Sequence, residues 1–216
     1  MKSVAENIAE FKQQLPDHVT LVAVSKTKPV ALIEDAYSSG QRDFGENKVQ
    51  ESTAKIPALP NDIRWHLIGH LQTNKVKYIA NTVHLIHAVD SEKLLAEINK
   101  QAAKINKTIN ILLQIHIAKE ETKFGLNEQE LHELLNAYAK GHFQNVNISG
   151  LMGMATNTED QELIRSEFRW LRKLFEAVKA NDWNTLSMGM SGDWKIAVEE
   201  GSTMIRIGSA LFGERH

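Results

Sequence analysis

The sequence predicts a closed (β/α)8 barrel, and two observations lead to this fold class. Segments with strand character alternate with helical segments along the chain, a pattern typical of parallel strands joined by right-handed helical crossovers. There are eight such strands, the number that closes a barrel, and 216 residues are enough for a small one. An open, doubly wound sheet is the alternative that this alternation leaves.

The predicted strands are short and rich in β-branched or apolar residues, and turn residues follow them. They cover residues 20–24, 42–47, 63–69, 82–89, 108–117, 147–152, 183–187 and 203–207. The predicted helices carry apolar residues at helical spacing. They cover 1–15, 30–39, 48–55, 72–80, 92–104, 127–140, a long helix that opens at 158–160, and 192–199.

The first 16 residues are expected to form an extra helix that packs on the barrel. Val4, Ile8 and Phe11 are spaced at helical intervals among charged residues, unlike the continuous apolar core of a signal peptide. No change in composition and no proline-rich linker marks a second domain, so we expect one domain over 1–216.

Composition excludes several classes of protein. No apolar run approaches the ~20 residues that a membrane span requires, and the absence of cysteine excludes disulfides and thiolate metal sites. The net charge of −2 argues against a nucleic-acid-binding protein. We therefore expect a cytoplasmic protein that binds neither membranes nor nucleic acid.

The most informative residue is Lys26, which comes directly after the first buried strand. The carboxyl end of a parallel strand is where α/β folds bind ligands. Partial desolvation there lowers the pKa of a lysine, and the free amine can form a Schiff base with an aldehyde. The alternative is an ordinary lysine at the rim of the sheet, and this is how we interpret Lys28.

The other strand ends supply the remaining candidate residues. They are Asn47, His70, Asp90, His116, Met154, Ser191, Arg206, Gly208 and Ser209. The turns after the seventh and eighth strands are rich in small residues, and barrels commonly bind a phosphate between these two loops. Either turn alone could be purely structural, but together they favour a phosphate site.

An aldehyde-reactive lysine next to a phosphate site describes a pocket for pyridoxal phosphate. Arg206 would lie near the pyridine nitrogen of this cofactor. Because arginine is effectively always protonated, it cannot give that nitrogen a proton, so the ring would be a weaker electron sink than one paired with a carboxylate. A surface or interface ion pair is the alternative role for Arg206.

The same stretches make the chain resemble the pyridoxal phosphate homeostasis proteins, which are related to the amino-terminal barrel domain of alanine racemases. The resemblance covers residues 21–215. It rests on Val22–Pro29, Phe44–Asn47, Trp65–Gln72, Glu120–Leu126, Leu151–Met154, Leu186–Ser191 and Gly201–Ser209. It implies a single-domain barrel that acts in vitamin B6 and amino-acid balance without established catalysis, and whose partners are pyridoxal-phosphate-dependent apoenzymes. We expect it to be a monomer.

The resemblance also implies roles for individual residues. Lys26 would carry the Schiff base, Asn47 would lie beside the cofactor, and Arg206 would meet the pyridine nitrogen. The phosphate would be held by three further residues: Ser191, Gly208 and Ser209. The chain departs from the family pattern at three other positions, which are Lys48, His116 and Lys119.

Two other functions compete with this one. A racemase needs a second proton-transfer group, which a tyrosine supplies in alanine racemases. The tyrosines of this chain, however, fall on predicted outer helices: Tyr37, Tyr78 and Tyr138. Strand geometry argues against a metal site, since His66 and His70 would lie about 13 Å apart. His84 and His87 would face opposite sides of their strand, which favours packing or a polar rim.

Overall fold

The computed structural model describes residues 2–120 and 122–213 and contains a closed barrel of eight parallel strands. The strands pair in chain order, and β1 closes the barrel against β8. The predicted (β/α)8 barrel is confirmed, and the open sheet is wrong. The strands are β1 Thr20–Val24, β2 Asp43–Glu46, β3 Arg64–Leu67, β4 Val83–Val89, β5 Ile109–Ile115, β6 Val146–Gly153, β7 Thr185–Ser187 and β8 Met204–Ile207.

Helices connect the strands and surround the barrel. They are α1 Val4–Gln14, α2 Val30–Ser38, α3 Val49–Lys55, α4 Val76–Ile79, α5 Glu92–Lys104, α6 Glu128–Ala139, α7 Gln161–Val178, α8 Trp194–Glu199 and α9 Ser209–Phe212. The predicted helix over 72–80 is instead a 3₁₀ turn at Thr73–Lys75 followed by the short α4. Helix α9 was not predicted, because four residues are too few to show a helical period.

Side-chain caps explain where the longer helices begin. Ser3 starts α1 and Asn127 starts α6, each in a reciprocal capping box with a glutamate three residues later. Ser91 caps α5, and Asp160 caps α7 with hydrogen bonds from two backbone N–H groups. These caps satisfy backbone donors that have no partner within the helix.

The alternation of side chains along the strands divides the apolar residues into layers. A small cluster fills part of the barrel interior: Val22, Leu85, Ala88, Leu112, Met152 and Met204. Two larger clusters lie between the sheet and the helices. In β1, Val22 belongs to the interior cluster while its neighbours Leu21 and Ala23 face the helices. Lys26 therefore leaves β1 on the interior side, above Val22 and Val24.

Helix α1 contacts α2 and α9, next to the junction of β1 and β8. Its buried face consists of Val4, Ile8 and Phe11, and the ring of Phe11 lies 4.8 Å from that of Trp194 on α8. Within residues 2–120 and 122–213, no helix has the length and apolar character that a membrane crossing demands.

Candidate functional site

A cavity of about 530 Å³ opens at the carboxyl ends of the strands. All six predicted site residues line it: Lys26, Asn47, Ser191, Arg206, Gly208 and Ser209. His70 and Met154 also line it, whereas Asp90 and His116 are outside the lining. Nδ1 of His70 lies 3.3 Å from Oδ2 of Asp90, and Nε2 of His116 lies 2.9 Å from the carbonyl oxygen of Glu120. The structure thus brings together residues from strands one, two, three, six, seven and eight.

The strand that carries Lys26 is tied to the surrounding helices by a buried ion pair. Ser25 Oγ donates to Glu46 Oε1 at 2.6 Å, and Lys55 Nζ donates to the same oxygen at 2.9 Å. Lys55 Nζ also donates to the backbone carbonyl oxygen of Ser25 at 2.8 Å. Burial raises the pKa of Glu46, and the hydrogen bonds from Ser25 and Lys55 oppose that rise. Ser25, Glu46 and Lys55 are all buried, so solvent does not compete for these bonds.

The turn after Lys26 is fixed by a second glutamate, Glu51 on α3. Thr27 has a φ of +63°, in the left-handed region that non-glycine residues rarely adopt. Its backbone N–H donates to Oε1 of Glu51, and Glu51 is in turn paired with Lys55 at 2.5 Å. We call Ser25, Glu46, Glu51 and Lys55 the lysine-side network, because they hold the backbone on both sides of Lys26.

Asn47 reaches the cavity because the neighbouring loop carries a glycine. A Cβ on Gly69 would lie 2.5 Å from the carbonyl oxygen of Asn47. Any other residue at position 69 would therefore push the end of β2 away from the end of β3.

Arg206 lines the cavity from β8, the neighbour of β1, and is buried with 4% of its surface exposed. Nη1 donates to Ser187 Oγ at 2.6 Å, and Nη2 donates to the carbonyl oxygen of Gly153 at 3.2 Å. Burial lowers the pKa of Arg206 to about 10, and Asp193 partly offsets this. Within the described part of the chain, no ion pair joins Arg206 to a carboxylate. A buried cation without an ionic partner favours a ligand that presents an electron-rich atom.

The loop between β7 and α8 brings Ser191 toward the end of β8. Gly189 has a φ of +98°, and its carbonyl oxygen accepts a hydrogen bond from the backbone N–H of Arg206 at 3.0 Å. A Cβ on Gly189 would lie 2.6 Å from Cβ of Ala197, so only glycine fits there. Ser191 Oγ accepts from the backbone N–H of Gly208 at 3.4 Å, which joins the two small-residue turns.

Sequence reasoning missed part of the cavity wall. Gln114 lines the cavity from β5, and its Nε2 donates to the carbonyl oxygen of Phe124 at 2.8 Å. Phe124 stacks on His70 with ring centroids 4.1 Å apart, although it is 54% exposed. The interpretation of Lys28 as an ordinary rim lysine is wrong: it lines the cavity, and its Nζ donates to the carbonyl oxygen of Gly213 at 2.9 Å. Only the neighbouring turn after β8 supplies that acceptor, so no local pattern indicates it.

The residues that depart from the family pattern lie outside the cavity wall. Lys48 is exposed at the start of α3, and the backbone N–H of Lys119 donates to Thr156 Oγ1 at 3.0 Å. His116 contacts its own loop, as described above. Glu121, part of the Glu120–Leu126 stretch, lies outside the described residues.

His66 on β3 and His87 on β4 are hydrogen-bonded to each other. Nδ1 of His66 lies 2.9 Å from Nε2 of His87, and both residues are buried, while His84 is exposed. In residues 2–120 and 122–213, no three histidine, aspartate or glutamate side chains are arranged to hold a metal ion.

Comparison with known proteins identifies the family. The family model described as "Alanine racemase, N-terminal domain" matches residues 1–216. The pyridoxal phosphate homeostasis protein of Vibrio alginolyticus is 38% identical over 232 residues, which cover 100% of this chain and 99% of that protein. The chain belongs to the pyridoxal phosphate homeostasis protein family. The member from Aquifex aeolicus is 42% identical over 200 residues, covering 90% of this chain and 86% of its own.

Solved structures agree with this family assignment. PipY of Synechococcus elongatus PCC7942, solved with pyridoxal phosphate bound, has a TM-score of 0.89 and 37% identity, and the match covers 98% of this chain and 100% of PipY. The alanine racemase of Bartonella henselae has a TM-score of 0.77 at 16% identity, covering 98% of this chain but 58% of the racemase. The homeostasis proteins thus share the barrel fold of the racemases, and the chain matches only part of the racemase length.

Proposed function

We propose that this chain is a pyridoxal phosphate homeostasis protein in which residues 1–216 form a single cofactor-binding domain. The observation that carries the proposal is the composition of one cavity. It combines the amine of Lys26, the buried cation of Arg206 and the joined turns at Ser191 and Gly208. PipY, which binds pyridoxal phosphate according to its solved structure, is 37% identical over nearly the whole chain and supports this assignment.

Each residue has a defined task in this proposal. When bound, the cofactor supplies an aldehyde carbon that an amine can attack with loss of water. Lys26 provides that amine from the end of β1. Ser191, Gly208 and Ser209 would hold the phosphate through hydroxyl and backbone N–H groups, Arg206 would donate a hydrogen bond to the ring nitrogen, and Asn47 would contact the ring from the end of β2.

We further propose that the chain holds the cofactor without catalysing a reaction of physiological weight. Racemisation needs an acid or base on each face of the substrate. The three tyrosines are absent from the cavity wall. Tyr37 donates to Asp62, Tyr138 donates to the carbonyl oxygen of Val146, and Tyr78 is 54% exposed on α4. The cavity therefore has no tyrosine opposite Lys26 to act as the second proton-transfer group.

A role in homeostasis requires that the cofactor be both captured and released. We propose that the chain acts as a monomer in the cytoplasm and passes pyridoxal phosphate to apoenzymes, without binding nucleic acid or membranes. Mixing the loaded protein with an apoenzyme, with and without a trap for free pyridoxal phosphate, tests direct transfer. Light scattering during size-exclusion chromatography tests the monomer.

The central test is the visible absorbance of the purified protein with pyridoxal phosphate. The wild type should become yellow, and borohydride should attach the cofactor to Lys26 irreversibly, as mass spectrometry of peptides would show. Lys26→Ala should bind only reversibly. Lys48→Ala, which changes an exposed lysine outside the cavity wall, is the matched control and should behave as the wild type. Labelling of another lysine would contradict the proposal.

The competing function is that of a weak racemase. Chiral chromatography of alanine incubated with the loaded protein measures this directly. The non-catalytic proposal expects no difference between the wild type and Lys26→Ala. Racemisation that depends on Lys26 and turns over many times would favour the enzyme.

A further inference from the structure

A chain of hydrogen-bonded polar side chains runs through the barrel interior from the cavity to the opposite end of the strands. Arg206 donates to Ser187 Oγ at 2.6 Å, and this oxygen lies 3.1 Å from Nδ1 of His87. Nε2 of His87 lies 2.9 Å from Nδ1 of His66, whose Nε2 lies 3.0 Å from Oδ1 of Asp43. Asp43 begins β2, whereas Arg206 is near the end of β8, so the chain connects the two ends of the barrel.

With both imidazole rings neutral, the two ends of this chain fix the direction of every hydrogen bond. Arginine can only donate and an ionised carboxylate can only accept. His66 must therefore carry its proton on Nε2, facing Asp43, which leaves its Nδ1 to accept from Nε2–H of His87. Nδ1 of His87 then accepts the hydroxyl proton of Ser187. As a result, the Ser187 oxygen presents its lone pairs to Arg206, and all four bonds point from Arg206 toward Asp43.

The surroundings bury most of this arrangement. Ser187 and His87 are 0% exposed, His66 is 2% exposed and Asp43 is 8% exposed. Burial, together with the neighbouring charge of Arg206, holds the pKa of His87 well below its usual range, so this ring stays neutral. Although burial by itself raises the pKa of Asp43, hydrogen bonds from Arg64 and His66 hold it well below its usual range. Because solvent has little access to these buried groups, loss of one member leaves its neighbours unsatisfied.

We propose that Ser187, His87, His66 and Asp43 form a positioning chain that aims the guanidinium of Arg206 at the cofactor ring. We call these four residues the arginine-side network. The inference rests on the proposed function, because it concerns how Arg206 meets pyridoxal phosphate. Asp43 takes part although it lies at the far end of the barrel, since its acceptor character sets the tautomer of both histidines and hence the acceptor offered to Arg206.

The test compares two substitutions of His87, which does not line the cavity. His87→Leu keeps the approximate volume but removes both the acceptor and the donor. His87→Gln retains an amide oxygen that can accept from Ser187 and an amide N–H that can donate to His66. We expect the affinity for pyridoxal phosphate to fall about 10- to 100-fold in His87→Leu and to be largely restored in His87→Gln.

A general loss of packing is separated from a loss of positioning by a control on the same strand. Leu85→Ala removes an interior side chain of β4 that is not part of the arginine-side network. We expect Leu85→Ala to lower the melting temperature but to leave the absorbance maximum of the bound cofactor unchanged. His87→Leu should shift that maximum, because the hydrogen bond to the ring nitrogen changes. Wild-type affinity and an unshifted maximum in His87→Leu would overturn the inference while leaving the proposed function intact.

If His87→Leu does not fold, a measurement on the wild type without cofactor tests the inference instead. Nitrogen-15 NMR of the histidine rings should show His66 and His87 both neutral with the proton on Nε2. Observation of the other tautomer, or of a charged ring, at either position at neutral pH would overturn the inference. Failure of the wild type to react with pyridoxal phosphate at Lys26 would instead contradict the proposed function.

Discussion

The two sides of the cavity are supported in different ways. The lysine-side network contains one ion pair between β2 and α3 and one within α3, at the end of the strands where Lys26 lies. The arginine-side network consists mainly of neutral groups inside the barrel, with a carboxylate only at its far end. The first fixes a backbone, because Lys55 and Glu51 bond to the main chain around Lys26. The second fixes the side chain of Arg206.

This difference follows from what each side has to do. In the proposed function, a lysine that reacts with an aldehyde needs a mobile side chain on a firm backbone, and the bonds of Lys55 and Glu51 to the main chain provide that backbone. An arginine that faces a ring nitrogen needs a fixed direction, because its planar group donates along defined axes. Neutral donors and acceptors define this direction without neutralising the cation.

The largest expected effect comes from breaking the ion pair on the lysine side. Lys55→Met leaves Glu46 buried without its cation, and removal of one partner of a buried pair costs about 3–5 kcal/mol. We expect urea denaturation to show this loss. The double variant Glu46→Gln with Lys55→Met should recover most of it, since no buried charge is then left over. Lys100→Met, which removes an exposed cation 3.7 Å from Glu97, is the control and should change little.

Gly189→Ala tests the loop that joins Arg206 to the two small-residue turns. The positive φ and the close approach to Ala197 predict a loss of about 1–3 kcal/mol in the free energy of unfolding. Gly192→Ala is the matched control in the same loop, since a Cβ there would meet no atom within 4 Å. Equal stability of the two variants would show that the backbone at Gly189 is not constrained as described.

The two sides should also respond to pH with opposite signs. His87 has a lowered pKa in the folded protein, so its contribution to stability is complete above the unfolded value of about 6.5 and is lost as the pH falls below it. Between pH 7.5 and 5.5 this loss should reach about 1.4 kcal/mol. Glu46 has a raised pKa in the folded protein. Its contribution to stability is therefore complete below its unfolded pKa of 4.5 and is lost as the pH rises through its folded pKa.

Urea denaturation at pH 7.5 and 5.5 measures the histidine part of this comparison. His87→Gln should lose less stability than the wild type over this interval, by about 1.4 kcal/mol. His132→Gln, which changes an exposed histidine on α6, should follow the wild type. If His87→Gln and the wild type have the same pH dependence, His87 is not held neutral by the barrel interior.

The smallest effect is expected at the rim, outside both supports. Phe124→Ala removes an exposed ring that stacks on His70, so the free energy of unfolding should change by no more than about 0.5 kcal/mol. Pyridoxal phosphate should dissociate faster, as stopped-flow absorbance would show, because the cavity mouth is less covered. Tyr78→Ala, equally exposed but outside the cavity wall, should alter neither quantity. A large loss of stability in Phe124→Ala would mean that the rim, too, supports the site.

Sequence reasoning reached the site through local patterns. Lys26 follows a buried run, and the turns at 186–193 and 205–209 are rich in small residues, so each could be assigned to a strand end without knowledge of the contacts. The prediction of one helix over 72–80 was wrong because the first residues of this segment are compatible with a 3₁₀ turn as well as with an α-helix. Gln114 and Lys28 were missed because their partners lie on other loops.

The amino-acid sequence alone determined the barrel, the order of its strands and several of the residues at its mouth, because periodicity and turn residues act over a few positions. Only the tertiary structure decided how those residues are held. His66 and His87 are 21 positions apart, and His87 and Ser187 are 100 apart. Closure of the barrel brings them within hydrogen-bond distance in a dry interior, where each polar group has to find a partner.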